Sequence, residues 1–202
     1  FFAVVFPVTW LLNAHNTWKK VFLVVASYYF YAAWRPEFTL LLLVSSVFNY
    51  FAALLIDRFK YRAQRLTVLW LAVAANLGLL GYFKYASFVA ANVSALFGLD
   101  WQVEPLPLPL GISFFTFQKI AFLIDTYIGG VVSFDLLHYS LFVTFFPQLI
   151  AGPIVHHNEM MPQFGNRAIG RFVLANLIVG GMIFFIGLFT KVVLADNVAP
   201  IA

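Results

Sequence analysis

Residues 38–56 read FTLLLLVSSVFNYFAALLI, nineteen positions without a charge, bounded by Glu37 and Asp57. A helix of roughly 20 apolar residues crosses the hydrocarbon core of a bilayer, so this run predicts a transmembrane helix. The pattern recurs at 66–83 (18 residues), 136–158 (23) and 172–190 (19). A run of 14 over 21–34 can span only with the help of Lys19 and Lys20, whose long stems can reach the interface. Across all 202 residues 63% are hydrophobic and 10% charged, against roughly 45–50% and about 25% in a soluble domain. Lipid is the expected solvent. The predicted class is all-α, a polytopic transmembrane helical bundle with about six or seven membrane segments, some broken or re-entrant. No repeat or linker divides the chain, so 1–202 reads as one membrane domain.

The net charge of +4 gathers at span ends, which makes the bilayer the natural partner and nucleic acid an unsuitable one. Arg58, Lys60, Arg62 and Arg65 form the densest cluster, and the positive-inside bias assigns it to the cytoplasm. Following the spans outward from there, the turn at Arg35 and Pro36 is outside, Lys19 and Lys20 are inside, and the N-terminus is outside. The stretch from Gly98 to Pro109 carries Asp100, Glu104 and three prolines without Lys or Arg, as expected of a non-cytoplasmic loop. Residues 85–99 are short for a crossing and could lie at the interface, prolong the previous helix or dip part-way into the membrane; an interfacial or re-entrant piece is the favoured expectation. The stretch 151–171 is irregular around His156, His157, Asn158 and Glu159. Arg167 and Arg171 draw it toward the cytoplasm, while the span count puts it outside.

The chain begins at Phe1 and stops at Ala202 just after an apolar helix, as expected of a stretch of something longer. A signal peptide over 1–12 is disfavoured by the lack of a basic leading region and a small-residue cleavage site. Without cysteine there are no disulfides and no thiolate metal sites.

The strongest functional signal is the helix expected from Gly111 to Gly130, which holds Lys119 and Asp125 in an apolar segment. Each ionisable group at mid-membrane costs roughly 2.5–3.5 kcal/mol on insertion scales, so such groups face protein or water. Six positions on a helix turn about 600°, leaving the two side chains about 120° and 9 Å apart. Each therefore needs another partner. Gly111, Gln118 and Asp125 share one stripe, and Lys119 and Thr126 the next. This polar face either lines a pocket or channel or makes a structural ion pair with a neighbouring helix. The four histidines, His15, His138, His156 and His157, lack metal-ligand spacing, and no phosphate cradle or nucleophile elbow is present. Gly129 with Gly130, and Gly180 with Gly181, would allow close helix approach.

Three longer strings point to a family: Leu108-Pro109-Leu110-Gly111-Ile112-Ser113-Phe114-Phe115-Thr116-Phe117-Gln118, then Ile124-Asp125-Thr126-Tyr127, then Phe145-Phe146-Pro147-Gln148-Leu149-Ile150-Ala151-Gly152-Pro153-Ile154. With Ala26 to Ala32, Gly81 to Ala86 and Phe189 to Asp196, they resemble the membrane-bound O-acyltransferase family, in its bacterial alginate O-acetylation and teichoic acid D-alanylation branch. The resemblance implies a helical bundle around a tunnel in the bacterial inner membrane. There an acyl donor, acetyl-CoA or another activated carrier serving as co-substrate, meets a hydroxyl of an extracytoplasmic polysaccharide such as alginate. A periplasmic acyl-handling partner fits the same picture, and no bound cofactor or metal is expected. The family's Trp-His-Gly segment is missing, so the chain is expected to be its N-terminal half and to hold no catalytic residue. Tunnel-lining candidates are Gln118, Lys119, Asp125, Gln148, His156 and His157. A transporter or channel-like subunit, and a non-catalytic acyl-transfer scaffold, are the alternatives.

Overall fold

The computed structural model describes residues 1–98, 107–131, 135–150, 152, 155–166 and 172–198. Among these every regular element is helical. In lipid each backbone N–H and C=O needs a partner, and a helix supplies it within one segment. The elements are α1 (Phe2–Leu11), a 3-10 turn (Leu12–Ala14), α2 (Asn16–Ala32), α3 (Pro36–Arg58), α4 (Arg62–Phe97), α5 (Ile112–Ile128), α6 (Leu136–Thr144), α7 (Phe146–Leu149), α8 (His157–Gly165), α9 (Leu174–Phe189), a π-helical turn (Thr190–Ala195) and α10 (Asp196–Val198). Three are long and apolar enough to cross a bilayer: α3, α4, and α9 continued through Ala195.

The chain forms two compact units, Phe1–Ile169 and Gly170–Ala202. In the second, α9 from Leu174 to Phe189 is apolar except for Asn176, and Lys191 pairs with Asp196 at 2.7 Å beyond it. In the first, α5 is central and packs on α3, α4 and α6. Its Phe122, Leu123 and Lys119 are fully buried. Because lipid tails are as apolar as leucine, such packing is held by van der Waals fit and interhelical hydrogen bonds.

Local chemistry explains the boundaries. Pro36 occupies the first turn of α3, with Glu37 beside it and Arg58 in the last turn, the arrangement a helix dipole favours. Gly98 (φ +62°) ends α4, and Gly111 (φ +69°) and Gly129 (φ +83°) bracket α5, each in the left-handed region that costs glycine least. Asp135 caps α6 by accepting from the His138 N–H at 2.6 Å.

Three expectations are corrected. Residues 85–97 prolong the preceding span as part of one 36-residue helix, rather than lying flat or re-entering; Leu99 lies outside the described residues. The segment lacks proline, and nothing before Gly98 stops the helix. It is about 54 Å long. Phe83 of α4 meets Phe38 at the start of α3, so the fourteen residues from Lys84 to Phe97 project past the α2–α3 turn. The run 136–158 is a broken element, because α6 stops at Phe145 (φ −52°, ψ 109°) and Pro147 restarts a short helix. Gly129 is a helix stop, and the Gly130 carbonyl accepts from the Asn158 amide, so this pair does not mediate close helix approach. The loop expected at 98–109 falls mostly outside the described residues.

The ends of the first unit can be matched. Arg65 at the start of α4 donates to Tyr127 O (2.6 Å) and Thr126 O (3.4 Å) at the end of α5, and to Ile56 O (3.0 Å) of α3. Lys20 near the start of α2 donates to His138 at the start of α6. One end of the bundle is therefore basic. At the other, the Tyr31 hydroxyl of α2 donates to Leu110 O just before α5.

Candidate functional site

The buried face of α5 carries Phe115, Gln118, Lys119, Phe122 and Thr126 at spacings of three and four. Lys119 is completely buried and has no carboxylate partner among the described residues. Its Nζ donates to Ser45 Oγ of α3 at 2.5 Å and lies 4.5 Å from the centre of the Phe115 ring. A hydroxyl and an aromatic face thus take the place an acid would fill. Gln118 uses its amide nitrogen on Phe142 O of α6 at 2.8 Å, leaving its Oε1 buried without a partner.

Asp125 and Lys119 do not meet, as their helical offset requires. Asp125 Oδ2 instead accepts from His156 Nδ1 at 3.0 Å. The carboxylate raises the pKa of that exposed imidazole, first by the hydrogen bond and then by its charge. His157, the next residue, turns inward. It is buried edge-on against Phe122 (5.2 Å between ring centres) and Phe142 (5.4 Å). Burial lowers its pKa, and neither ring nitrogen has a hydrogen-bond partner.

Gln148 stands at the opposite end of α5. A side chain on Gly152 would come within 2.6 Å of Gln148 Cα, and one on Gly111 within 2.7 Å of Leu149 O. Both glycines permit backbone approaches that no other residue allows. The six candidates thus divide: Gln118 and Lys119 in the interior, Asp125, His156 and His157 at the basic end, and Gln148 at the far end. Among the described residues no three His, Asp or Glu side chains converge as metal ligands.

Several polar contacts escaped the reading of the sequence. Lys20 Nζ meets His138 Nε2 at 2.5 Å, and His138 Nδ1 meets Asp135 Oδ1 at 2.7 Å, forming a relay at the basic end. Asn49 and Asn76 exchange amide bonds at 3.1 and 2.7 Å between α3 and α4. Each asparagine was visible as the polar exception in an apolar run, but its partner lies 27 positions away.

Over 91% of its length this chain is 44% identical to the peptidoglycan O-acetyltransferase of Helicobacter pylori, and it covers 40% of that protein. The chain is similar to O-acetyltransferases of the membrane-bound O-acyltransferase family. Two further relatives, each named a probable alginate O-acetylase AlgI, agree. That of Azotobacter vinelandii is 38% identical over 92% of the chain and 38% of its own length. That of Pseudomonas aeruginosa is 36% identical over 92% of the chain and 36% of its own length. The chain therefore spans about two-fifths of the length of the curated relatives it matches. No family model matches it, and no solved structure does.

Proposed function

We propose that this region works within a membrane O-acetyltransferase that moves acetyl groups onto hydroxyls of an extracytoplasmic polysaccharide. The observation that carries the proposal is the 44% identity, over 91% of the chain, to a protein named for peptidoglycan O-acetylation. The relatives named alginate O-acetylases support the same acyl group and a polysaccharide acceptor. The donor is an activated acetyl carrier such as acetyl-CoA, used as co-substrate. The protein sits in the bacterial inner membrane with its N-terminus outside and its basic end in the cytoplasm, following the positive-inside bias of Arg58, Lys60, Arg62 and Arg65. That end then faces the donor, and a periplasmic acyl-handling protein serves the other.

In this reading Gln118, Lys119, Asp125, Gln148, His156 and His157 border the path on which donor and acceptor meet, and the general base comes from outside these 202 residues. The chemistry is attack of an acceptor oxygen on the acyl carbonyl as a base takes its proton. The test is ester-linked acetate in the cell-wall peptidoglycan and exopolysaccharide of strains carrying or lacking the full-length gene. Deletion should remove the acetate and the intact gene restore it; unchanged acetate overturns the proposal. Asp125→Asn and Gln148→Ala in the full-length protein should lower acetate severalfold at equal protein level. Wild-type acetate in both would retire the path assignment.

A further inference from the structure

By charge pattern Arg58, Lys60, Arg62 and Arg65 share one task, marking the basic end. The fold separates them. Arg58, Lys60 and Arg62 are exposed, whereas Arg65 is half-buried and turns its guanidinium into the bundle. Its Nε donates to Ile56 O of α3 at 3.0 Å, and its Nη2 to Tyr127 O of α5 at 2.6 Å and, more weakly, to Thr126 O at 3.4 Å. The same group lies 5.2 Å from the centre of the Tyr127 ring. All three carbonyls belong to the last turn of their helices, where no later residue of the helix offers an N–H. These ends also carry the negative pole of the helix dipole, which favours a cation. Arg65 therefore caps α3 and α5 together.

The last turn of α5 is also where the start of α8 is attached. Asp125, next to Thr126, holds His156 Nδ1 at 3.0 Å, and the Gly130 carbonyl accepts from the Asn158 amide. The Gly130 N–H donates to Asp125 O at 2.8 Å, so both attachment points sit in one closed turn. The two carbonyls that Arg65 Nη2 holds lie between them in the sequence. A shift of about 1 Å in this turn would carry Asp125 out of hydrogen-bond reach of His156. At a reacting site a misplacement of that size costs about a hundredfold in rate.

We propose that Arg65 is a positioning residue: by tying the last turn of α5 to the end of α3 and the start of α4, it fixes where Asp125 and His156 stand at the basic end. The role rests on the reading above, in which that pair borders the path of donor and acceptor. Arg65 acts through α5. The geometry asks for arginine in particular. A planar guanidinium presents its N–H donors in a fixed fork, so Nε and Nη2 address two helices at once while the face rests on Tyr127. A lysine keeps the charge that sets membrane orientation but brings a single nitrogen, without the fork or the planar face.

The test has two arms, both on the full-length protein in lipid nanodiscs, with Arg62→Lys as the exposed control for Arg65→Lys. The first follows the titration of His156 by NMR. In the wild type its pKa stands above the ordinary 6.5 because of Asp125; in Arg65→Lys it should return toward that value, and in Arg62→Lys it should not. An unchanged titration in Arg65→Lys overturns the proposal. In the second arm, acetyl transfer should fall roughly tenfold in Arg65→Lys and stay at the wild-type level in Arg62→Lys. Combining Arg65→Lys with His156→Gln should cost no more than His156→Gln alone, because both act through one pair. Losses that multiply would mean that Arg65 only stabilises the fold, and overturn the proposal too. Should Arg65→Lys fail to fold, Tyr127→Leu removes the ring beneath the guanidinium, keeps every carbonyl, and should shift His156 in the same direction; no shift overturns the proposal. A wild-type protein that transfers no acetyl group overturns the proposed reaction, while the titration still decides whether Arg65 positions His156.

Discussion

Asn49 and Asn76 show at the scale of single residues how a polar group is kept inside an apolar bundle. Each amide is fully or nearly fully buried, and each also donates to a backbone carbonyl four residues earlier in its own helix. Interhelical hydrogen bonds in membranes average about 0.6 kcal/mol and reach about 1.7. Asn49→Leu and Asn76→Leu should each destabilise, and the double variant should cost less than their sum by about 1 kcal/mol, measured as a double-mutant cycle in denaturant unfolding. The His156–Asp125 pair makes a second prediction, about pH. The folded-state pKa of His156 is raised above its ordinary 6.5. Its contribution is therefore fully present below pH 6.5 and is lost as pH rises through the raised value. Glu159 adds to the effect in the same direction. Amide protection factors in α8, corrected for the intrinsic pH dependence of exchange, should fall across that window, and Asp125→Asn should abolish the fall. Both partners of this pair were named from the sequence as polar exceptions. The pairing was not, since their 31-residue separation carries no local signal.

At the scale of elements, glycine has opposite meanings in different helices. Gly111 has φ +69° and lies against Leu149 O, so Gly111→Ala must strain the backbone and collide with a carbonyl. Left-handed strain alone costs about 1–3 kcal/mol, and the loss should exceed the lower figure in thermal unfolding. Gly78 lies within α4 with nothing near its missing Cβ. Gly78→Ala should stabilise by about 0.5–1 kcal/mol through helix propensity. The two variants together separate a glycine required by packing from one that is tolerated. The limits of α5 were legible because Gly111 and Gly129 punctuate an apolar run. The break in 136–158 was not, because an uncharged run looks the same whether its helix is straight or interrupted, and Pro147 alone does not say which.

At the scale of the molecule, the contacts of Arg65 with α5 and of Asp125 with His156 place His156 and the start of α8 at the basic end. Counting uncharged runs as spans had assigned it to the opposite side, while Arg167 and Arg171 argued for this one; both arginines lie outside the described residues. The count fails because α6 and α7 lead from the level of Lys20 toward that of Gly111, and His156 is back beside Asp125. Gly111 and Asp125 are fourteen residues apart on a helix, about 21 Å. Cysteines placed at Lys60 and at Asn158 in the full-length protein should react with a membrane-impermeant maleimide from the same side; labelling from opposite sides would contradict the arrangement. What the sequence determined by itself was the solvent, the helical class, the basic end and most helix limits, because hydrophobicity, charge and capping act within a few residues. What the tertiary structure alone decided was the partner of each buried polar group and the path of the chain after α5. Lys119 meets Ser45 across 74 positions of sequence, and only the packing of whole helices brings such groups within reach.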